Sequence, residues 1–209
     1  MANLFYPAKR DPEIRDTERA AVSNNTALIF LLLRPMELQQ AVSLIKNSHI
    51  TGATPQVWAD LGCGEGLFTR ALASLLAPGS TIYAVDQNKK ALQHLPQGEG
   101  VLIKPIQANF VNDPLPFTKL NGILMANALH FVPNQKTFIK KLEGYVADKY
   151  SLVMVEYDTD TPNQWVPYPL SFEALQKLFR QSGYTTFEKI HEQPSLYGRA
   201  NIYSVIIGK

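Results

Sequence analysis

From residue 56 onward the chain alternates between short apolar runs and amphipathic helical patterns, and this alternation limits the fold more than any other feature. Alternating strands and helices are typical of an α/β sheet. The strand-like runs are almost continuously apolar, which predicts strands covered on both faces and therefore a mostly parallel sheet. We predict strands at 56–62, 80–86, 101–107, 121–127 and 150–158, and helices at 67–76, 89–95, 134–146 and 171–183.

The two ends of the chain depart from this alternation. The last two predicted strands, 185–192 and 200–208, are joined by a loop too short to hold a crossover helix. Since neighbouring parallel strands need such a crossover, these two should form an antiparallel hairpin. Residues 1–50 instead show two or three short helical patterns. We expect one domain over residues 1–209, with residues 1–50 as a helical extension or a cap.

The charge balance argues against a polyanionic partner. With 20 Lys and Arg against 18 Asp and Glu, the chain carries a formal net charge of only +2. We therefore expect neither nucleic acid nor a membrane surface as a partner. The pairs Lys89-Lys90 and Lys140-Lys141 are interpreted as solvated charge on helix surfaces.

Cysteine and apolar content bear on location. Cys63 is the only cysteine, which excludes an intrachain disulfide and fits a reducing compartment. The longest apolar run, 27–33, is far shorter than the roughly 20 residues of a membrane-spanning helix, and the first residues lack the pattern of a secretion signal. We predict a cytoplasmic protein, whose oligomeric state the sequence leaves undetermined. No metal site is predicted, because His49, His94 and His191 have no ligand-like spacing.

A glycine-rich turn follows the first predicted strand. In the stretch ADLGCGEGLF, Asp60 precedes glycines at positions 62, 64 and 66, and a helical pattern begins directly afterwards. Glycines at such a turn let a small molecule lie against the backbone, and ligands of open parallel sheets bind at the carboxyl ends of the strands. The residues that follow the next three strands are Asp86 and Gln87, then Asn109 and Phe110, then Asn127 and His130.

Two classes of cofactor could use this layout. A nicotinamide dinucleotide would explain the glycines and the position of Asp86, an acid placed to bind ribose hydroxyls. A nucleoside with an ammonium and a sulfonium centre fits better, because the glycine spacing is G-x-G-x-G rather than G-x-G-x-x-G. In addition, Asp60 would repel a pyrophosphate but attract a cation. An NAD(P)-dependent oxidoreductase and a non-catalytic cofactor-binding protein remain as alternatives.

Four motifs in this order resemble those of the class I S-adenosylmethionine-dependent methyltransferases, particularly the small-molecule type with a generic methyltransferase domain. The motifs are VWADLGCGEG, IYAVDQN, QANF and ILMANALHFV, and the resemblance is close over residues 56–158. It implies a Rossmann-like fold with strand order 3-2-1-4-5-7-6. It also implies S-adenosylmethionine as the cofactor and in-line transfer of its methyl group to a small-molecule acceptor.

The resemblance also assigns cofactor contacts. Asp60, Gly62 and Gly64 would hold the methionine moiety, Asp86 the ribose, and Asn109 with Phe110 the adenine. Asn109 departs from the commoner pattern, which has an acid at this position. The cofactor set is completed by Cys63, as a small residue beside the cofactor rather than a nucleophile, and by Gln87 and Asn127.

The acceptor pocket is expected after the fourth and fifth strands. His130 is either a general base for an acceptor hydroxyl or amine, or an ordinary packing residue. A small molecule is favoured because the Asn/Asp-Pro-Pro-aromatic motif of some amino-group methyltransferases is missing, and NALH stands in its place. The loop 159–170 and the stretch LFYPAKRDPEIRD could close over the site. The further candidates for substrate contacts are Glu156, Tyr157, Trp165, Tyr168 and Arg199.

Overall fold

In the computed structural model, residues 36–95, 99–195 and 200–209 are described. Residues 36–209 form one compact unit. The helical patterns predicted before Pro35 lie outside the described residues, so the expected role of residues 1–50 as an extension or cap stays a prediction. Within the described ranges, no helix combines the length and the apolar character needed to cross a membrane.

The sheet has seven strands in the order β3-β2-β1-β4-β5-β7-β6. Strands β1 to β5 pair in parallel, and β7 runs antiparallel to both β5 and β6. The predicted fold class, strand order and terminal hairpin are therefore confirmed. The strands are β1 (Val57–Leu61), β2 (Thr81–Asp86), β3 (Leu102–Gln107), β4 (Leu120–Ala126), β5 (Val146–Tyr157), β6 (Thr186–Pro194) and β7 (Asn201–Gly208).

Five α-helices of the described residues flank the sheet. They are α1 (Leu38–Ile45), α2 (Leu67–Leu75), α3 (Lys89–Leu92), α4 (Gln135–Glu143) and α5 (Phe172–Arg180), and a short 3-10 turn spans Leu129–Phe131. Ser171 caps α5, as its position predicts, because its hydroxyl accepts the Ala174 N–H.

Several boundaries differ from the sequence-based expectation, and α4 and α5 each end three residues before the predicted end. Helix α3 is a single turn rather than the predicted 89–95. Strand β5 begins at Val146, four residues before the predicted start, and its register with β4 shifts between Leu120 and Gly122. Coverage on both faces, expected for every strand, fails for β3: this is an edge strand beside the shortest helix, and Leu102 is 55% exposed.

Buried apolar clusters line the two faces of the sheet. One cluster joins the sheet to α4 and α5, through residues that include Phe138, Leu142, Leu175 and Phe179. The other joins it to α1 and α2, through residues that include Leu44, Ile45 and Leu72. Burial of aliphatic and aromatic side chains on both faces fixes the register of the strands, because a slip of one residue would turn each side chain to the wrong face. The carboxyl ends of the strands are thereby held in place.

Trp58 lies in the second cluster, fully buried, directly beside Gly122 of the neighbouring strand. A Cβ at position 122 would overlap three carbons of the Trp58 ring. The indole N–H donates to Gln56 Oε1 at 2.8 Å, which holds the ring over the glycine. The absence of a side chain at position 122 is therefore a packing requirement.

Gly122→Ala should destabilise the protein through this overlap by about 1–3 kcal/mol. In a chain of this length each kcal/mol of destabilisation lowers the melting temperature by roughly 2–4 °C, which thermal unfolding measures. Gly144→Ala is the matched control, since its Cβ would meet only the Lys141 carbonyl oxygen, at 3.4 Å. Adding Trp58→Phe, which removes the outer indole ring, should relieve part of the Gly122→Ala penalty. Equal melting temperatures for the two glycine variants would refute the packing requirement.

Candidate functional site

The turn after β1 contains three left-handed glycines: Gly62 (φ 81°), Gly64 (φ 52°) and Gly66 (φ 85°). At position 62 a Cβ would lie 2.8 Å from the Cβ of Ala128, so only glycine lets this turn approach the segment after β4. At position 64 a Cβ would meet nothing within 4 Å. The turn therefore leaves open space beside its backbone, as a bound molecule would require.

Asp86 ties the glycine turn to the turn after β2. Its Oδ2 accepts the Gly64 N–H at 2.9 Å and its Oδ1 accepts the Asn88 N–H at 2.7 Å. Each carboxylate oxygen can accept a further hydrogen bond, so the group remains able to bind hydroxyls. Asp86 lines a cavity of about 250 Å³ together with Gly62, Gln87, Ala108, Asn109, Phe110, Val111, Asn127, Ala128 and Phe131.

Asp60 is a buried carboxyl with incomplete hydrogen bonding. Its Oδ2 accepts the Thr69 hydroxyl at 2.6 Å, and its Oδ1 has no partner among the described residues. Burial raises the pKa of this carboxyl to about 7, with the nearby Asp86 adding to the rise and the Thr69 hydrogen bond opposing it. A cation placed beside Oδ1 would satisfy the orphan oxygen and favour the ionised form.

Hydrogen bonds of Asn109 stabilise the loop after β3. Its side-chain carbonyl accepts the N–H groups of Val111 and Asn112, at 3.0 and 3.2 Å. The amide nitrogen faces Gln87 Oε1 at 3.4 Å, and the backbone N–H bonds to Asp113 Oδ2 at 2.8 Å. Both lone pairs of the amide oxygen are therefore used within the loop, and Asn109 presents a donor, not an acceptor, to the cavity.

Lys141 was interpreted as solvated charge, and the structure corrects that interpretation. Its Nζ donates to the carbonyl oxygens of Phe110, Val111 and Asp113 at 3.0, 2.9 and 2.7 Å. The ammonium of α4 thus clamps the loop after β3. Helical spacing could have indicated this position of Lys141. It lies three residues after Phe138, on the same face of the helix, and the Phe138 ring packs at 5.7 Å from that of Phe110.

A second cavity, of about 710 Å³, adjoins the first. The two share Asn127 and Phe131 as lining residues. The other described lining residues are His130, Tyr157, Thr159, Thr161, Pro162, Asn163, Trp165, Val166 and Ala200. A molecule in one cavity would therefore meet a molecule in the other at the segment that follows β4.

Asn127 occupies the junction in a constrained conformation. Its φ of 51° is left-handed, which is uncommon outside glycine, and its backbone N–H bonds to the Val155 carbonyl at 2.8 Å. Its side-chain Oδ1 is buried and has no hydrogen-bond partner among the described residues. Strain and an orphan acceptor at the same residue are features of binding sites.

His130 and Glu156 form a buried pair at the larger cavity, with 2% and 1% of their surfaces exposed. The His130 Nδ1 lies 2.5 Å from Glu156 Oε2. Glu156 Oε1 also accepts the backbone N–H groups of Leu129 and His130, at 2.9 and 3.3 Å. The carboxylate is thus surrounded by three N–H groups, and His130 lies between it and the cavity.

The remaining sequence-based candidates are placed as follows. Tyr157 and Trp165 line the larger cavity, and Trp165 is 73% exposed. Tyr168 does not line it, but its backbone N–H donates to the His130 carbonyl at 3.0 Å and so anchors the loop 159–170. Glu156 lies behind His130 rather than at the cavity surface. Arg199 lies outside the described residues.

Cys63 is buried, and the pKa of its thiol is raised by burial, with the charges of Asp60 and Asp86 adding to the rise. A thiol in this state is a poor nucleophile, which agrees with its interpretation as a small packing residue. Within the described ranges, no group of three or more His, Cys, Asp or Glu side chains is arranged to hold a metal ion.

Solved structures of similar fold include several methyltransferases. The Burkholderia thailandensis 1,6-didemethyltoxoflavin-N1-methyltransferase, with bound 1,6-didemethyltoxoflavin and S-adenosylhomocysteine, aligns with a TM-score of 0.61 and 14% identity, over 100% of this chain and 94% of its own. The plantazolicin methyltransferase BpumL, in complex with S-adenosylhomocysteine, gives 0.58 and 13%, over 95% and 91%. A methyltransferase from Aquifex aeolicus gives 0.55 and 14%, over 84% and 100%. At these identities the likeness shows the fold.

The sequence matches a known domain over part of its length. Residues 59–149 match the family described as a methyltransferase domain, whereas no curated protein matches the chain. The matched range contains the glycine turn, Asp86, the loop after β3 and the junction after β4. Residues 59–149 thus match a methyltransferase domain, the strand order agrees with the fold of the solved methyltransferases, and the two findings together support a methyltransferase enzyme.

Proposed function

We propose that this methyltransferase methylates a small molecule held in the larger cavity, while the cofactor occupies the smaller one. The observation that carries the proposal is that the two cavities meet at Asn127 and Phe131. A structure of similar fold holds a small acceptor and S-adenosylhomocysteine together, which supports this arrangement. The charge balance of +2 gives no reason to expect a polyanionic acceptor.

Residues of the glycine turn and of the smaller cavity fit the cofactor's polar groups. The orphan oxygen of Asp60 offers a partner for the ammonium of the methionine moiety. The open space at Gly64 accommodates that moiety against the backbone, and Asp86 retains acceptor capacity for the ribose hydroxyls. Each of these contacts satisfies a group that the protein alone leaves incomplete or open.

The base-binding part of the site differs from the commoner acidic pattern. Asn109 offers N–H donors because its carbonyl is committed to the loop. Phe110 supplies an apolar wall, and Lys141 holds the loop that carries both residues. We therefore assign Asn109 to a ring nitrogen of the adenine rather than to its amino group.

The chemical demands on the protein are modest. When bound, S-adenosylmethionine supplies a methyl group whose bond to sulfur breaks, with the electron pair left on sulfur, as a lone pair of the acceptor forms the new bond. The chain contributes alignment of the two molecules along the junction and exclusion of water from it. His130 faces the acceptor cavity and takes the proton that the acceptor loses.

The proposed function is tested by screening small acceptors for release of S-adenosylhomocysteine, in the wild type and in His130→Asn. Loss of a general base should lower turnover by about 10²- to 10⁴-fold. Cofactor affinity, measured by calorimetry, should stay nearly unchanged, since His130 lines only the larger cavity. Cofactor binding without turnover of any acceptor would contradict the proposed function, and equal turnover in the variant would assign His130 to packing.

Asp86→Ala should weaken cofactor binding by roughly tenfold to a hundredfold, because hydrogen bonds to a charged acceptor contribute about 1.5–3 kcal/mol. At about 100 times its dissociation constant the cofactor should stabilise the wild type by about 2.7 kcal/mol, and at the same concentration the variant should lose about half of this gain or more. Thermal unfolding with and without cofactor measures both effects. Asp148→Ala, an exposed acid at the opposite end of β5, is the control and should behave as wild type.

Cofactor affinity should rise between about pH 5.5 and 7 and level off above, because the pKa of Asp60 is raised from 3.8 to about 7. Below this value the carboxyl is protonated, so binding of an ammonium must release the proton, at a cost of up to about tenfold in affinity per pH unit. The near-isosteric Asp60→Asn should bind weakly without this pH dependence. Calorimetry across this pH range measures the cofactor affinity of the wild type and of Asp60→Asn. An equal pH dependence of the affinity in both proteins would show that Asp60 does not bind the cofactor.

A further inference from the structure

We propose that the acceptor is an uncharged aromatic molecule whose methylated atom carries a weakly acidic proton, as an aromatic hydroxyl or ring N–H does. The proposal rests on the proposed function, since it concerns the molecule held in the larger cavity. It further assigns Glu156 as the residue that positions His130 to remove that proton. Three sets of observations carry it: the charge of the lining, its aromatic surface and the buried pair.

The described lining of the larger cavity contains no Asp, Glu, Lys or Arg. Its polar side-chain groups are the amides of Asn127 and Asn163, the hydroxyls of Tyr157, Thr159 and Thr161, the indole N–H of Trp165 and the imidazole of His130. A charged acceptor buried against such a wall would lose hydration without gaining an opposite charge. The wall therefore favours a neutral molecule over an ammonium or a carboxylate.

The acids nearest to this wall are directed elsewhere. Asp158 Oδ1 accepts the Phe172 N–H at 2.8 Å, and Asp160 Oδ1 accepts the Ser171 N–H at 3.0 Å. Both carboxylates thus bind the backbone at the start of α5, where negative charge is favourable. They stabilise the helix, and neither carboxylate belongs to the described lining of the larger cavity.

Aromatic surface is exposed at the cavity. Phe131 is 53% exposed and Trp165 is 73% exposed, and both line this space. The Phe131 ring also lies 4.4 Å, centroid to centroid, from the His130 ring. A planar acceptor between these rings would cover their apolar surface and bring its edge to His130.

The buried pair determines how His130 can act. Glu156 accepts two backbone N–H groups and its second oxygen lies against His130 Nδ1, so the oxygen acts as the acceptor of this contact and Nδ1 carries the proton. The other ring nitrogen, Nε2, is then the one that can accept a proton from a molecule in the cavity. The resulting imidazolium is paired with Glu156. A base so arranged is useful only for an acceptor that must lose a proton to become nucleophilic.

The acceptor class is tested by calorimetry with S-adenosylhomocysteine already bound. Naphthol provides an aromatic hydroxyl and theophylline a ring N–H, while naphthoate, naphthylmethylamine and methoxynaphthalene vary the charge or remove the proton. We expect naphthol, theophylline or both to bind at least about tenfold more tightly than the charged analogues, a difference of about 1.4 kcal/mol. Tighter binding of a charged analogue, or binding of none, would overturn this class. Failure of S-adenosylhomocysteine itself to bind would instead overturn the proposed function.

The role of Glu156 is tested with nitrophenol, whose absorption spectrum reports its ionisation when bound. The wild type should bind it as the phenolate at a lower pH than free nitrophenol requires, because the proton moves to His130. Glu156→Gln should abolish this shift, since its amide donates to Nδ1 and leaves a proton on Nε2. His130→Asn should also abolish it, which keeps the test valid if Glu156→Gln fails to fold. Glu188→Gln, at an exposed position, is the control. If bound nitrophenol still ionises at the wild-type pH in folded Glu156→Gln or in His130→Asn, the proposed roles of Glu156 and His130 are refuted.

Discussion

The site depends on how closely the turn after β1 approaches the segment after β4. Gly62 and Ala128 meet at a distance where no side chain fits on the glycine. The parallel pairing of β1 with β4 brings both turns to the same edge of the sheet, and the buried clusters on its two faces hold that register. Gly62 and Ala128 both line the smaller cavity, and Asn127, with its left-handed backbone, lines both cavities.

Two buried carboxylates near this contact differ in how completely they are hydrogen-bonded. Glu156 accepts three N–H groups from the segment 129–130 and is complete without any ligand. Asp60 has one hydroxyl partner and one oxygen without a partner among the described residues, and burial raises the pKa of its carboxyl to about 7. A satisfied carboxylate orders its neighbours, whereas an unsatisfied one is stabilised by a bound cation. The difference separates a positioning group from a binding group.

The sequence predicts the sheet and the cofactor turn well, because both are encoded by neighbours in the chain. The apolar runs indicate the strands, and the G-x-G-x-G turn after β1 has the three left-handed residues that its glycines suggest. Contacts between distant residues were not accessible in the same way. Lys141 reaches a loop about 30 positions away, and Glu156 pairs with a histidine 26 positions away. The resemblance places Asn109 at the adenine, but the use of its carbonyl within its own loop emerges only from the backbone geometry.

The described lining of the two cavities comes from different stretches of chain. The smaller cavity is lined by the turns after β1, β2, β3 and β4, whereas much of the described lining of the larger cavity comes from the continuous segment 157–166. That segment lies between anchors: Asp158 and Asp160 bind the start of α5, and Tyr168 binds the His130 backbone. Under the proposed function, substitutions between these anchors would change the larger cavity and leave the residues of the smaller one in place. An architecture of this kind lets new acceptor preferences evolve, or be selected in the laboratory, from one short loop.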